Sequence, residues 1–170
     1  MLRFVGFVLI VSSSASVGFS MADRVRRAQK LYRQALSSLA YMKAEIEFHL
    51  TPLDEITRQL STLSSGVLGE IFSGFSRDIT LAPGVSCGVL MRRCLRMQKY
   101  RLPQELSDIL GELFDLLGRQ DVLAQIRAIE LAEGRLQQVY AQSRSEKNER
   151  CRAYRTIGIC AGLALAIVLI

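Results

Sequence analysis

Residues 155–170 read RTIGICAGLALAIVLI, and the rest of the chain is best understood from this C-terminal stretch. From Thr156 to Ile170 it contains no charged residue and no proline. A helix exposed to water has a polar face, and this stretch offers none. Its length is below the roughly 20 residues that usually span a bilayer, but Arg155 can extend its guanidinium group to the lipid headgroups. We therefore predict a C-terminal transmembrane helix at residues 156–170.

The N-terminal end is also apolar. Residues 4–22 carry no charge and lie between Arg3 and Asp23. This segment is long enough to form a membrane-spanning helix. The alternative is a cleaved secretory signal, since a basic residue, a short apolar core and small residues at 12–16 are typical of one. Five basic residues follow within positions 24–33, and such residues resist translocation. This favours a retained transmembrane helix at residues 1–22.

Basic residues also precede the C-terminal stretch. Five of them lie within residues 144–155, so both segments that face the middle of the chain are positively charged. Because positively charged flanks stay in the cytoplasm, we predict a cytoplasmic domain at residues 23–155 with both termini across the membrane. The protein is then a two-helix membrane protein that contacts lipids at both ends.

The distribution of charge argues against a nucleic-acid-binding protein. The net charge is +6, but ten of the 22 basic residues lie in the two flanks. Residues 34–143 contain 11 basic and 13 acidic residues. The positive surplus therefore suits the surface of an anionic membrane, and a phosphate-binding domain is not indicated.

Between the apolar ends, the periodicity predicts an all-α bundle of about five to six helices. The first has no proline or glycine from Asp23 to Thr51, so we expect one continuous rod. A short third helix holds apolar residues from Val67 to Phe75. The inward stripe of the first helix recurs every three or four residues: Val25, Ala28, Tyr32, Ala35, Leu39, Met42, Ile46 and His49.

Residues with strong preferences for helix ends mark several boundaries. We expect Thr51 to cap the second helix through its hydroxyl group, with Pro52 in the first turn. Pro103 opens the fifth helix, and Gly118 can take the left-handed conformation that ends it. Asp121 is placed to cap or charge the start of the last helix.

Two polar clusters are candidates for binding a partner. The fourth helix has an apolar side that ends at Met97 and a basic side formed by Arg92, Arg93, Arg96 and Lys99. These cations are either solvated, paired with acidic residues of the next helix (Glu105, Asp108, Glu112 and Asp115), or exposed to a protein partner. The second cluster is Glu45, His49 and Asp121, which would meet if the first and last helices pack side by side.

The residues that enzymes need are largely missing. The chain has no phosphate-binding glycine loop, no nucleophile elbow and no H-E-x-x-H motif, and His49 is its single histidine. None of the four cysteines has neighbours at the spacing of a zinc site. Glu45 and Glu47 are two residues apart on a helix and point in different directions. We expect no enzymatic activity, metal or cofactor.

Three groups of residues, in a fixed order, resemble the stage III sporulation protein AB family, and the resemblance covers essentially the whole chain. They are E-I-x-F-x-x-T-P-L at residues 45–53, L-G-x-x-D-x-x-x-Q at residues 117–125, and Y-R-x-x-G at residues 154–158. That family looks like a reduced relative of the inner-membrane platform proteins of type II secretion and type IV pilus machines. The resemblance implies a helical cytoplasmic domain in the outer forespore membrane, within a channel complex that joins mother cell and forespore.

Two functional classes therefore remain. By resemblance, the chain is a platform subunit whose neighbours include other channel subunits and a secretion-type ATPase, with the helical domain in the mother-cell cytoplasm. The alternative is a membrane-anchored helical regulator that binds a soluble cytoplasmic partner. Assembly into a homo-oligomer is compatible with either class.

Overall fold

The computed structural model describes residues 26–117 and 121–144. They form six helices and no strands, which confirms the all-α prediction. Helix α1 occupies residues 26–44 and ends in a π-helical turn, Glu45–His49. It is followed by α2 (Leu53–Leu63), α3 (Val67–Leu81), α4 (Cys87–Met97), α5 (Gln104–Leu116) and α6 (residues 122–144).

The predicted membrane helices at 1–22 and 156–170 and the predicted helix end at Gly118 lie outside the described residues. Across the two described ranges, no helix is long and apolar enough to cross a membrane.

The described residues belong to two compact units. The larger unit runs from residue 30 to residue 140 and contains helices α2 to α5 with most of α1 and α6. The other contains described residues 26–29 and 141–144, where the Gln29 side-chain amide donates to the backbone oxygen of Ser143 at 3.5 Å.

The core of the larger unit is aromatic and aliphatic. Neighbouring helices pack in sequence order from α2 to α5, and Phe75 of α3 meets Phe114 of α5 edge to face with ring centroids 4.9 Å apart. The predicted stripe of α1 is confirmed from Tyr32 to Ile46 by the burial of Tyr32, Ala35, Leu39, Met42 and Ile46, whereas Ala28 is half-buried and Val25 lies outside the described residues. Burial raises the pKa of Tyr32 to about 12, and the charge of Glu105 on α5 adds to this effect.

Helix α3 is longer than the sequence suggested. It continues through Gly74 to Leu81 instead of ending near Phe75. A β-carbon at Gly74 would lie 3.4 Å from the Cys94 sulfur of α4, so this glycine lies where α3 and α4 approach each other. Gly74 therefore does not end the helix.

The predicted cap at Thr51 is wrong. Helix α2 begins at Leu53 with Pro52 at the N-cap position, and no side chain caps it. The Thr51 hydroxyl donates instead to the Glu45 carboxylate at 2.7 Å, back towards α1. A cap would have required the hydroxyl oxygen to accept from a backbone N–H of α2, whereas here the hydroxyl donates a hydrogen bond that the charge of the carboxylate strengthens.

The same turn ends the rod formed by α1, close to the predicted position. The backbone N–H groups of Leu50 and Thr51 both donate to the Glu45 carbonyl oxygen, which closes the π turn. Leu50 takes a left-handed conformation with φ of 54°, the single such non-glycine residue in the described ranges. His49, expected to end the buried stripe, is exposed. A single left-handed residue is a common way to end a helix, but it is usually glycine or asparagine.

Candidate protein-binding face on helix α4

Helix α4 has two sides with different environments. Its inner side is buried against α3 and α5 through Gly88, Leu90, Met91, Cys94 and Leu95. Met97, predicted to extend this side, is 70% exposed. Met97 is the last residue of α4, and the buried residues of the helix end at Leu95. The predicted apolar side is therefore two residues too long.

The inner side includes a close approach between α4 and α5 at Gly88. A β-carbon at this position would lie 2.9 Å from the Cα atom of Asp115, too close for any larger residue without a backbone shift. One turn later, the Arg92 guanidinium group donates to the Asp115 carboxylate. Of the alternatives for the basic residues, internal pairing is therefore correct for Arg92.

The outer side carries Arg93 and Arg96, and Lys99 follows in the turn after α4. Arg93, Arg96 and Lys99 are exposed, and none of them forms an ion pair with another described residue. A groove of about 470 Å³ runs along this side, lined by Val89, Arg93, Arg96 and Met97. We call these four residues, with Lys99 and Tyr100, the α4 outer face.

The acidic residues of α5 do not neutralise this face. Asp115 accepts a hydrogen bond from Arg92, and Glu112 accepts one from Arg135 of α6. Asp108 accepts from the Gln104 side chain at 2.9 Å on its own helix. Arg96 also lines a second groove of about 330 Å³ that contains Asp108 and Glu112, but it pairs with neither. The outer face therefore keeps its positive charge.

The second predicted cluster is divided between two separate turns. The Glu45 carboxylate accepts from Thr51 and lies 3.6 Å from the Nδ1 atom of His49. Asp121 accepts a hydrogen bond from the Ala124 backbone N–H at 2.9 Å, which confirms that it caps α6. Within the described residues, no hydrogen bond or ion pair joins Asp121 to Glu45 or His49.

Helices α1 and α6 do lie side by side. The Lys43 ammonium group forms an ion pair with the Glu130 carboxylate at 2.6 Å. This pair raises the pKa of Lys43, chiefly through its hydrogen bond to Glu130. Glu45 accepts from Thr51 at the end of α1, and Asp121 caps the start of α6, so these two carboxylates form local contacts at separate helix ends.

The sequence reasoning missed the apolar members of the outer face. Val89 is 53% exposed and Tyr100 is 96% exposed, in addition to Met97. The signal was present in the sequence, because Val89, Arg93 and Met97 follow one another at intervals of four residues. This is a second stripe on α4, and it became visible only when the structure showed which stripe is buried.

The described residues give no sign of a metal site. No group of three or more histidine, cysteine or acidic residues in these ranges is arranged to hold an ion. The buried Cys94 has a raised pKa, mainly because burial disfavours the charged thiolate. A neutral buried thiol packs as a small apolar side chain.

Comparison with known proteins identifies the family. The family model described as "Stage III sporulation protein AB (spore_III_AB)" matches residues 3–170. The chain is similar to Stage III sporulation protein AB of Bacillus subtilis (strain 168), with 25% identity over 99% of each chain. A solved structure of a Stage III sporulation protein AB (SpoIIIAB) shares the fold, with a TM-score of 0.66, 22% identity, and coverage of 72% of this chain and 98% of that one. The chain belongs to the Stage III sporulation protein AB family, and its role is in sporulation.

Proposed function

We propose that this protein is a non-enzymatic platform subunit of a secretion-like channel complex that connects mother cell and forespore. In this role it couples a cytoplasmic secretion-type ATPase to the membrane part of the channel. Membership of the family supports the link to sporulation. The observation that carries the proposal is the α4 outer face, whose three cations have no ionic partner in the described chain.

The proposed location follows from the two apolar ends. Terminal helices at 1–22 and 156–170 would anchor the protein in the outer forespore membrane, with the helical domain in the mother-cell cytoplasm. The basic residues at 24–33 and 144–155 support this orientation, because positively charged flanks stay on the cytoplasmic side. An ATPase in the mother-cell cytoplasm would then have direct access to the α4 outer face.

The ATPase would dock through an acidic patch. Complementary charges across an interface orient the partners and raise the encounter rate more than they raise the affinity. Arg93, Arg96 and Lys99 need not break any internal ion pair to take part, whereas Arg92 would have to leave Asp115. We therefore assign docking to the first three residues and a structural role to Arg92.

The test is charge reversal in the full chain, purified in detergent with the secretion-type ATPase of the same organism. The variant Arg93→Glu with Arg96→Glu should lose co-purification with the ATPase while keeping its helical content. The matched control is Arg33→Glu with Arg127→Glu, which reverses two exposed arginines on α1 and α6 that form no ion pair with another described residue. Equal recovery of the ATPase with the first variant and the wild type would show that the outer face is not the docking surface.

A further inference from the structure

The α4 outer face is apolar as well as basic. Val89, Arg93 and Met97 follow one another at intervals of four residues, so they lie in one row along the helix. At 1.5 Å per residue, Val89 and Met97 are about 12 Å apart along the helix axis. Tyr100 lies just beyond the end of α4 and is almost fully exposed.

Single exposed apolar residues are common on soluble domains and need no explanation. Here the exposed residues line a groove together with two arginines, and the inner side of α4 already has its own buried residues. Helix α4 therefore has two apolar sides, and one of them is uncovered in the described chain. An apolar surface bordered by polar residues is typical of a protein interaction site.

The shape and charge of the groove define what can fill it. An amphipathic helix presents apolar side chains on one side at intervals of seven or eight residues, which is about 10–12 Å along its axis. This interval is close to the axial separation of Val89 and Met97, so one apolar side chain of the partner could contact each of them. Arg93 and Arg96 border the groove and have no ionic partner among the described residues. Carboxylates beside the apolar residues of the partner would meet these arginines.

We infer that the α4 outer face binds an acidic amphipathic helix of its partner, with Val89 and Met97 forming the apolar centre and Arg93 and Arg96 the charged rim. The inference rests on the proposed function, in which that partner is the ATPase. The centre of an interface supplies most of the affinity because it is fully desolvated, whereas exposed charge pairs at the rim add little. Truncating the apolar residues should therefore cost more affinity than neutralising the arginines, whereas reversing the arginines to glutamate adds repulsion and abolishes binding.

The experiment uses the full chain in detergent and two binding partners. One is the ATPase, and the other is a synthetic helical peptide with leucines seven residues apart bordered by glutamates. Val89→Ser with Met97→Ser should weaken binding of both partners by about tenfold or more. The matched control is Leu123→Ser with Leu131→Ser, two exposed leucines of α6, and it should bind like the wild type. A peptide with lysines in place of the glutamates should not bind.

The two proposals fail in different ways. If the wild type binds the acidic peptide but not the ATPase, the proposed function is wrong and the chemistry of the face stands. If Val89→Ser with Met97→Ser binds either partner as tightly as the wild type, the inference is wrong. It is also wrong if this variant instead lowers the mass of a homo-oligomer in detergent, because a second copy would then be the occupant.

Discussion

The two sides of helix α4 differ in how their polar groups are satisfied. On the inner side, Arg92 is paired with Asp115, and Gly88 allows α5 to approach closely. On the outer side, a groove is lined by the exposed residues Arg93, Arg96 and Met97. Neither arginine forms an ion pair with another described residue. Four basic residues of one sequence cluster thus divide into one that is paired within the fold and three that form no ion pair with another described residue. Changes on the inner side should cost stability, and changes on the outer side should cost binding.

The largest effect is expected at Gly88. Replacing it with alanine forces α4 and α5 apart, which should lower the free energy of unfolding by about 2 kcal/mol, the usual cost of overpacking. Gly134→Ala on α6 is the matched control, because nothing lies within 4 Å of a β-carbon there. It should stabilise the chain by about 0.5–1 kcal/mol through helix propensity. Urea unfolding followed by circular dichroism measures both, and equal effects would contradict the close approach.

The second-largest effect is expected in the reactivity of thiols on the inner and outer sides of α4. In a chain that keeps only Cys94, alkylation at neutral pH should be about 100-fold slower than in a cysteine-free chain with Met97→Cys. Burial blocks access to Cys94 and raises its pKa, so the reactive thiolate is scarce. Mass spectrometry of the maleimide adduct over time gives both rates. Similar rates would mean that the inner side of α4 is open.

A smaller effect is expected for the pair on the inner side. Arg92→Glu should destabilise the chain by about 1 kcal/mol, since the side chains of Arg92 and Asp115 are 42% and 37% exposed and solvent screens their interaction. Combining it with Asp115→Arg should restore most of this loss. Urea midpoints for the single and double variants test the pairing, and a double variant no better than the single one would argue against it.

The smallest change in stability is expected on the outer side. Arg96→Glu should alter the free energy of unfolding by less than about 0.5 kcal/mol, because Arg96 is exposed and has no ion pair to lose in the described chain. The same urea titration measures it. A loss as large as that of Arg92→Glu would place Arg96 in an internal network with Asp108 and Glu112.

Much of the fold could be predicted from local patterns. The buried stripe of α1 is set by helical periodicity, and the start of α5 is set by Pro103. The cap at Asp121 was predictable because its acceptor and the Ala124 N–H are three residues apart. Such signals act within one turn of a single helix and do not depend on how the helices pack.

The failures involve interactions that local patterns do not contain. Thr51 has the composition of a cap, but Glu45 on the preceding helix offers a charged acceptor, and the sequence does not show their proximity. The division of α4 into two sides depends on how α3 and α5 pack against it. The basic cluster was found from sequence, whereas its separation into Arg92 and the outer residues required the position of Asp115.

The most direct test compares Arg92→Glu with Arg93→Glu plus Arg96→Glu in one set of measurements. Each full-length variant is assayed for its urea midpoint and for its affinity for the ATPase. We expect Arg92→Glu to lower the midpoint and to retain binding where it remains folded. The double variant should keep the wild-type midpoint and lose binding. If the double variant unfolds as readily as Arg92→Glu, or if it binds the ATPase as well as the wild type does, the two sides of α4 do not have the separate roles assigned to them.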